Sequence, residues 1–267
     1  MKIIGQSRLI NTIDGIESLD ALPKSIIISG VKGSGRHTIF NYICDRFNLE
    51  FEDIEYELSL DKLNEMYNLS IPKMYLIDLD SLGEKKRLER FQNTLLKFIE
   101  EPPRFAWIVI IVYNYNVLLN TILNRCVCYN LSPYTLLELK EIAKVYDKNI
   151  SEEDLRLLKT PFNIQFVELD TISEIKNLSI NIIENMYRAN ISNALSIKNK
   201  FEYIDINLFI SIFIDILYEY YLDSFDIKYY NALILTKELS NNLSVLNVNK
   251  TYLIENYLLT LKLILDD

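Results

Sequence analysis

The chain has 267 residues, of which 49% are hydrophobic, 24% charged and 12% aromatic, and its formal net charge at pH 7 is −9. This composition predicts a folded protein and excludes a disordered one, and the length predicts two or three domains. The charge is uneven, with −2 over residues 1–130 and −7 over residues 131–267. A uniformly basic nucleic-acid-binding surface is therefore excluded, although a local basic face in the first half is not.

The three cysteines, Cys44, Cys126 and Cys128, are too few for a disulfide framework or a four-sulfur zinc site, so we expect a reduced chain without zinc. We interpret Cys126 and Cys128 as core thiols. The start of the chain has no signal-peptide pattern, and the apolar residues 206–214 are too few to span a membrane. We expect a cytoplasmic protein with no membrane partner. The single histidine, His37, excludes metal sites that need a histidine pair.

Strands and helices are predicted to alternate in the first half of the chain. Residues 25–29, 74–77 and 107–112 are short apolar runs of buried-strand length, and each is followed by a turn or polar break and a helical pattern. Such alternation predicts a parallel sheet with helices on both faces. Ligands are then expected at the carboxyl ends of the strands.

The 106 residues after Pro161 contain neither glycine nor proline. Apolar residues recur there at helical spacing, closely in one series and more loosely in a second, which predicts buried helix faces. The two series are Phe209, Ile212, Phe213, Ile216, Leu217 and Tyr220, and then Tyr252, Tyr257, Leu261 and Ile264. The predicted fold class is therefore α/β, with a parallel-sheet domain followed by an all-helical region.

A glycine-rich segment between the first strand and the next helix resembles a phosphate-binding loop. Its glycines are Gly30, Gly33 and Gly35. Glycines at this spacing let backbone N–H groups bind phosphate at a helix N-terminus. The lysine and the Mg²⁺-binding hydroxyl of such loops are replaced by Arg36 and His37, and Thr38 comes one residue too late, about 100° around the helix. Two interpretations are equally open: the loop still binds a nucleotide, or it is retained only as an element of the fold. Hydrolysis of a nucleotide by this chain is disfavoured.

Acidic residues follow the second predicted strand, where a Mg²⁺-linked aspartate is expected in nucleotide hydrolases. Asp78 fits that position, but Leu79 stands where a water-positioning glutamate would follow. The alternative is that Asp78 and Asp80 are only polar residues at a strand end.

Three further segments resemble motifs of the AAA+ clamp-loader subunits of DNA replication. Residues 92–103, QNTLLKFIEEPP, end a predicted helix at a proline pair and are similar to that family's signature. Residues 118–126, LLNTILNRC, look like its Ser-Arg-Cys segment with Asn124 in place of the serine, and residues 3–10 resemble its N-terminal Gly-Gln motif. The resemblance is specific over about residues 1–130.

This resemblance implies an AAA+ RecA-like domain over residues 1–130, a small helical lid over 131–172 and a helical collar over 173–267. Within the family the chain is most similar to the delta-prime type, which does not hydrolyse ATP. It would assemble with ATPase subunits and help load a sliding clamp onto primed DNA. No cofactor is expected for catalysis in this chain, and whether ATP or ADP stays bound is left open. The zinc module of some relatives is not expected, because only Cys44 lies in its interval.

The resemblance also implies roles for individual residues. Arg125 matches an arginine finger that acts on a neighbouring subunit, and the alternative is a surface ion pair. Asn114, or else Tyr113, is the candidate polar sensor, and Gln92 matches a position that couples DNA and nucleotide sites. The basic residues of the same helix either bind DNA phosphates or form a solvated face, and they are Lys85, Lys86, Arg87 and Arg90.

Two other functions remain open. One is an active AAA+ ATPase with a divergent phosphate loop, in which Arg36 replaces the lysine. The other is a small-molecule kinase, which explains the glycines but neither residues 92–103 nor residues 118–126. Measurement of ATP turnover separates the non-hydrolysing subunit from the active ATPase.

Overall fold

The computed structural model of the chain describes residues 3–54, 60–79, 85–243 and 249–266. The chain forms two compact units. The first contains Met1–Asp147 and Thr160–Asn163, and the second contains Lys148–Lys159 and Ile164–Asp267. The boundaries predicted from the sequence, near residues 130 and 172, stay predictions.

The first unit is built on a five-stranded parallel sheet with the strand order β2-β3-β4-β1-β5. The strands are β1 (Ser25–Ser29), β2 (Glu50–Asp53), β3 (Lys73–Asp78), β4 (Ala106–Val112) and β5 (Val127–Asn130). All residues of β1 and β4 are buried, whereas the edge strands β2 and β5 are mostly exposed. The three predicted strands are confirmed, and the two edge strands are additional.

Helices cover both faces of this sheet, as predicted. They are α1 (Ser7–Asp14), α2 (Arg36–Phe47), α3 (Leu60–Tyr67), α4 (Lys85–Glu100), α5 (Asn120–Leu123) and α6 (Leu136–Val145). Along β4, side chains alternate between two apolar clusters. Ile108 and Ile110 pack with Phe91 and Leu95 of α4, while Trp107 lies in the opposite cluster.

The second unit contains helices and short 3₁₀ turns over its described residues. Its helices are α7 (Glu152–Leu158), the C-terminal half of α8 (Pro161–Phe166), α9 (Leu169–Asn185), α10 (Ile191–Ser196), α11 (Ile206–Ser224), α12 (Ile227–Leu243) and α13 (Lys250–Asp266). Helix α11 packs against α9 and α12, and α12 packs against α13. The prediction of an all-helical C-terminal region is confirmed.

The predicted buried helix faces are largely those observed. Phe209 and Phe213 stack in the core, with ring centroids 5.2 Å apart, and Tyr257 is buried with its hydroxyl 2.9 Å from that of Thr236. Tyr252 is 65% exposed, so its assignment to a buried face was wrong. That residue lies in the first turn of α13, where the periodicity of the sequence was loosest. None of the helices in the described residues is long and apolar enough to cross a bilayer.

Candidate functional site

The glycine-rich loop connects β1 to α2 at the carboxyl end of the sheet. Gly33 and Gly35 have φ angles of 82° and 90°, in the left-handed region that favours glycine, and Gly35 is the N-cap of α2. A Cβ atom on Gly30 would lie 2.7 Å from the Ser34 Oγ. Each predicted loop glycine therefore occupies a position where a side chain is strained or obstructed. The loop leads into a helix N-terminus, the geometry that suits an anion.

Side chains from later in the first unit cover this loop. The Phe162 N–H donates to the Gly33 carbonyl at 3.4 Å, and a Cβ atom on Gly33 would lie 2.6 Å from the Phe162 Cβ and 3.0 Å from the Thr160 Oγ1. The Tyr134 hydroxyl donates to the Ser34 carbonyl at 3.0 Å. Burial raises the pKa of Tyr134, so the hydroxyl stays protonated as a donor. The loop is packed against the protein's own residues.

The N-terminal segment is joined to the same region through Gln6. Its side-chain amide donates to the Ser132 carbonyl at 2.7 Å and accepts from the Ser132 N–H at 2.9 Å. This paired contact places the Gly-Gln motif beside the residues that lead to Tyr134. Through Gln6, the Gly-Gln motif therefore fixes the segment that carries Tyr134 to the glycine-rich loop.

The two residues that replace the lysine and the hydroxyl of a phosphate loop differ in exposure. Arg36 is buried, with 7% of its surface exposed. The His37 side chain is 55% exposed, and its Nε2 lies 3.5 Å from the Asp78 Oδ2. Thr38 is half-buried on the first turn of α2. The structure therefore brings together His37 and Asp78, two of the site residues predicted from the sequence.

The positions that would form a hydrolytic metal site hold other residue types in this chain. Mg²⁺ prefers oxygen ligands, and the imidazole of His37 faces Asp78 where a hydroxyl would be expected to share the metal. Leu79 is buried, and its N–H donates to the Ile111 carbonyl at 3.0 Å. Within the described residues, no three His, Cys, Asp or Glu side chains come together as a metal-binding group.

A cavity of about 380 Å³ opens beside the His37–Asp78 pair. It lies between α2 and the carboxyl ends of β2 and β3, and its lining includes apolar side chains and two carboxylates. Its lining residues are His37, Phe40, Asn41, Phe51, Asp53, Ile54, Leu76 and Asp78. The edge strand β2, which the sequence did not predict, supplies part of this wall.

The candidate sensors follow β4 on the same edge of the sheet. Tyr113 and Asn114 come directly after β4, which pairs with β3 in parallel, and both residues are exposed. The Asn114 carbonyl accepts from the Val117 N–H at 3.4 Å. Their position at the carboxyl edge agrees with the expected location of ligands, and the sensor role stays a prediction.

Gln92 is a buried polar residue of α4, with 1% of its surface exposed. Its Nε2 donates to the Val117 carbonyl at 2.9 Å, and its Oε1 accepts from the Leu119 N–H at 2.7 Å. Leu119 is the N-cap of α5. Gln92 therefore fixes the connection between the sensor segment and the short helix that precedes Arg125.

Arg125 lies just after α5, with 44% of its side chain exposed. Its Nη1 donates to the Thr121 carbonyl at 2.9 Å, and its Nη2 lies 3.3 Å from the Glu100 Oε1. Within this chain the guanidinium is thus in a surface ion pair, the alternative considered for it.

The remaining predicted residues have different outcomes. The side chains of Lys85, Lys86, Arg87 and Arg90 lie outside the described part of the structure, so their contact with DNA stays a prediction. Cys126 is partly buried against the core, but Cys128 is exposed, so its assignment as a core thiol was wrong. The cause is that β5 lies at the sheet edge, where the side-chain positions are mostly exposed.

Sequence reasoning did not identify Tyr134, Phe162 or Glu100 as parts of the site. Tyr134 and Phe162 reach the loop from about 100 and 129 residues away. No motif marks them, and only the fold brings them together. Glu100 belongs to the recognised 92–103 segment, and its position next to Arg125 required the packing of α4 and α5.

A known protein family matches part of the first unit. Residues 73–135 match a family described as DNA polymerase III, delta subunit. The matched segment contains β3, α4, β4, α5 and β5, and with them Asp78, Gln92 and Arg125.

Two relatives are then similar over more of the chain. The DNA polymerase III subunit gamma of Buchnera aphidicola subsp. Schizaphis graminum is 27% identical over 238 residues, covering 74% of this chain and 63% of the relative. The same subunit of Buchnera aphidicola subsp. Baizongia pistaciae is 27% identical over 172 residues, covering 51% and 45%. The chain thus spans less than two thirds of the length of these relatives. It carries a DNA polymerase III delta-subunit-like segment and is homologous to gamma subunits.

Solved structures similar to part of the chain include the RuvB Holliday junction branch migration motor of Thermotoga maritima. It is 17% identical with a TM-score of 0.48, and the alignment covers 67% of this chain and 64% of that chain. A variant of the same motor is 16% identical with a TM-score of 0.49, covering 67% and 65%.

Proposed function

We propose that the chain is a clamp-loader subunit of DNA polymerase III of the delta-prime type. In this role it does not hydrolyse ATP, donates Arg125 to the nucleotide of a neighbouring ATPase subunit, and helps load a sliding clamp onto primed DNA. The contact between His37 and Asp78 carries the non-hydrolysing assignment. The family match over residues 73–135 supports the clamp-loader class.

The loss of hydrolysis rests on three positions around that contact. Hydrolysis needs a cation on the phosphates, a Mg²⁺ ligand and a group that positions water. The hydroxyl is replaced by His37, whose imidazole faces Asp78 at 3.5 Å, and the water-positioning acid is replaced by the buried Leu79. Arg36 is a larger planar cation than lysine and is buried. Together these changes remove the metal and water chemistry from this subunit.

The covering of the loop supports retention of the loop as a fold element. Phe162 and Thr160 lie against Gly33, and Tyr134 is hydrogen-bonded at Ser34. Any nucleotide bound here would have to fit beside these residues. We therefore assign no catalytic cofactor to this chain.

Arg125 suits a role across a subunit boundary because its guanidinium is accessible. It is 44% exposed and carries a permanent charge on a fork of N–H donors, which matches phosphoryl oxygens. An arginine supplied in this way from a neighbouring chain stabilises charge in the transition state of phosphoryl transfer.

Assembly is assigned to the second unit. Over the residues that the structure describes, its helices α9 to α13 hold no metal-binding group, and we propose them as the collar that associates with the other subunits. The same proposal keeps a helical lid over about residues 131–172 and DNA contact by the basic start of α4. It places the protein in the cytoplasm, with the ATPase subunits, the clamp and primed DNA as its partners.

A second candidate function is an active ATPase subunit. The names of the two relatives favour it, because both are gamma subunits at 27% identity. Here Arg36 would contact phosphate, and Asp78 would hold the metal without the hydroxyl.

ATP turnover by the purified protein separates the two functions. We expect no phosphate release above that of an Asp78→Asn variant at saturating ATP and Mg²⁺. Steady turnover that Asp78→Asn abolishes would establish the active ATPase and refute the delta-prime assignment.

The finger is tested in the assembled complex with the clamp and primed DNA. Arg125→Ala should leave assembly intact by size-exclusion chromatography and lower ATP hydrolysis by the neighbouring subunit by roughly 10³-fold or more, since arginine fingers contribute roughly 10³–10⁵ in kcat. Arg125→Lys should restore little, because lysine lacks the planar fork. A wild-type rate with Arg125→Ala would remove Arg125 from the mechanism.

A further inference from the structure

Arg125 is held by two oxygen partners of its own chain. One is the Thr121 carbonyl in the short helix α5, at 2.9 Å from Nη1, and the other is the Glu100 carboxylate, at 3.3 Å from Nη2. These two contacts hold the guanidinium against its own unit. A free arginine side chain would instead sample many rotamers.

Glu100 is the last residue of α4, a position that does not favour a carboxylate. The C-terminal end of a helix carries partial negative charge, so an acidic side chain there is electrostatically unfavourable by itself. Glu101 follows directly, which adds a second negative charge. Helix stability therefore does not explain Glu100, whereas pairing with the Arg125 guanidinium does.

The same helix fixes α5 at its other end. Gln92 of α4 accepts from the N–H of Leu119, the N-cap of α5, at 2.7 Å. Gln92 is buried, so this contact is protected from water. Helix α4 thus holds both the start of α5 and the side chain that follows its end. Movement of Arg125 away from Glu100 needs only side-chain rotation, because the backbone stays anchored.

We propose that Glu100 is a positioning residue that holds the Arg125 guanidinium on its own chain until phosphoryl oxygens of a neighbouring subunit's nucleotide replace the carboxylate. This inference rests on the proposed finger role of Arg125. The exchange replaces one oxyanion by another at the guanidinium and breaks no covalent bond. Both side chains are about half exposed, at 44% and 52%, so the pair is weak and readily exchanged.

The proposal predicts that removing the carboxylate makes the finger more available. In the complex with the ATPase subunits, clamp and primed DNA, Glu100→Gln should raise kcat/KM for ATP hydrolysis by up to about fivefold, the factor that corresponds to an exposed ion pair. Glu101→Gln is the matched control, because it removes a neighbouring carboxylate, whereas the ion pair of Arg125 in the described residues is with Glu100. It should leave kcat/KM within about 1.5-fold of wild type on the same scale.

Salt gives a readout that a purely structural role would not produce. Screening weakens the exposed ion pair, so the ratio of kcat/KM between Glu100→Gln and wild type should fall toward one as NaCl rises from about 50 mM to 500 mM. A loss of folding would instead lower kcat/KM for Glu100→Gln at every salt concentration.

The outcomes separate this inference from the proposed function. If Arg125→Ala slows hydrolysis but Glu100→Gln leaves kcat/KM equal to or below that of Glu101→Gln, Arg125 remains a finger and the holding role of Glu100 is refuted. If Arg125→Ala has no effect, the finger itself is refuted, and the inference fails with it.

Discussion

Replacement of Gln92 by alanine should destabilise the first unit more than the replacement of most single polar residues would. Gln92→Ala removes two hydrogen bonds, to the Val117 carbonyl at 2.9 Å and from the Leu119 N–H at 2.7 Å. Each contributes about 1 kcal/mol net, and the space left by a side chain that is 1% exposed adds about another 1 kcal/mol. The expected loss in the free energy of unfolding is therefore about 3 kcal/mol.

Tryptophan fluorescence during urea unfolding measures this loss in the first unit, which contains Gln92. Trp107 is the single tryptophan of the chain and is buried in the sheet of the first unit, 2% exposed. Asn93→Ala is the matched control, since Asn93 is the next residue of α4 and is exposed. It should change the unfolding free energy by less than about 0.5 kcal/mol. A Gln92→Ala variant as stable as Asn93→Ala would refute the anchoring of the α5 connection by this amide.

Two further predictions concern the loop and the thiols. Gly33→Ala should lower the free energy of unfolding by about 2 kcal/mol or more in the same measurement, because a φ of 82° is combined with the Phe162 Cβ 2.6 Å from the added Cβ atom. Gly15→Ala, where φ is −72° and the nearest atom would be 3.4 Å away, should lower it by less than about 1 kcal/mol. Equal losses for the two variants would contradict the packing of the loop. At pH 8, maleimide should label Cys128 before Cys44 and Cys126, because Cys128 is exposed and burial raises the pKa of the other two thiols to about 12, far above the assay pH. Mass spectrometry of the fragmented peptides checks this order, and labelling of Cys44 as fast as Cys128 would contradict it.

The central strands were predictable from the sequence, and the edge strands were not. Strands β1, β3 and β4 are buried on both faces, so they appear as continuous apolar runs such as residues 107–112. Strand β2 has the sequence EFED and is mostly exposed, so its residues give no such signal. Edge strands are commonly polar for this reason, and their pairing is decided by the neighbouring strand.

The candidate site shows the same division between local and distant information. The loop glycines were predictable because strand, turn and helix are consecutive in the chain, which fixes their geometry locally. The pairing of His37 with Asp78 joins positions 41 residues apart, and the contact of Tyr134 with Ser34 spans 100 residues. Such contacts depend on the order of strands in the sheet, which neither composition nor periodicity specifies.

The discontinuous make-up of the first unit has a consequence for the way the molecule can be divided. Because residues 160–163 belong to that unit while 148–159 belong to the other, no single cleavage point in the sequence separates the two. A fragment that ends at Asp147 would lack Thr160 and Phe162, and the backbone of Gly33 would lose both its cover and the N–H that bonds its carbonyl. The glycine-rich loop is therefore completed by residues 160–163, which belong to the first unit although they follow helix α7, so its packing depends on an uninterrupted chain through that helix.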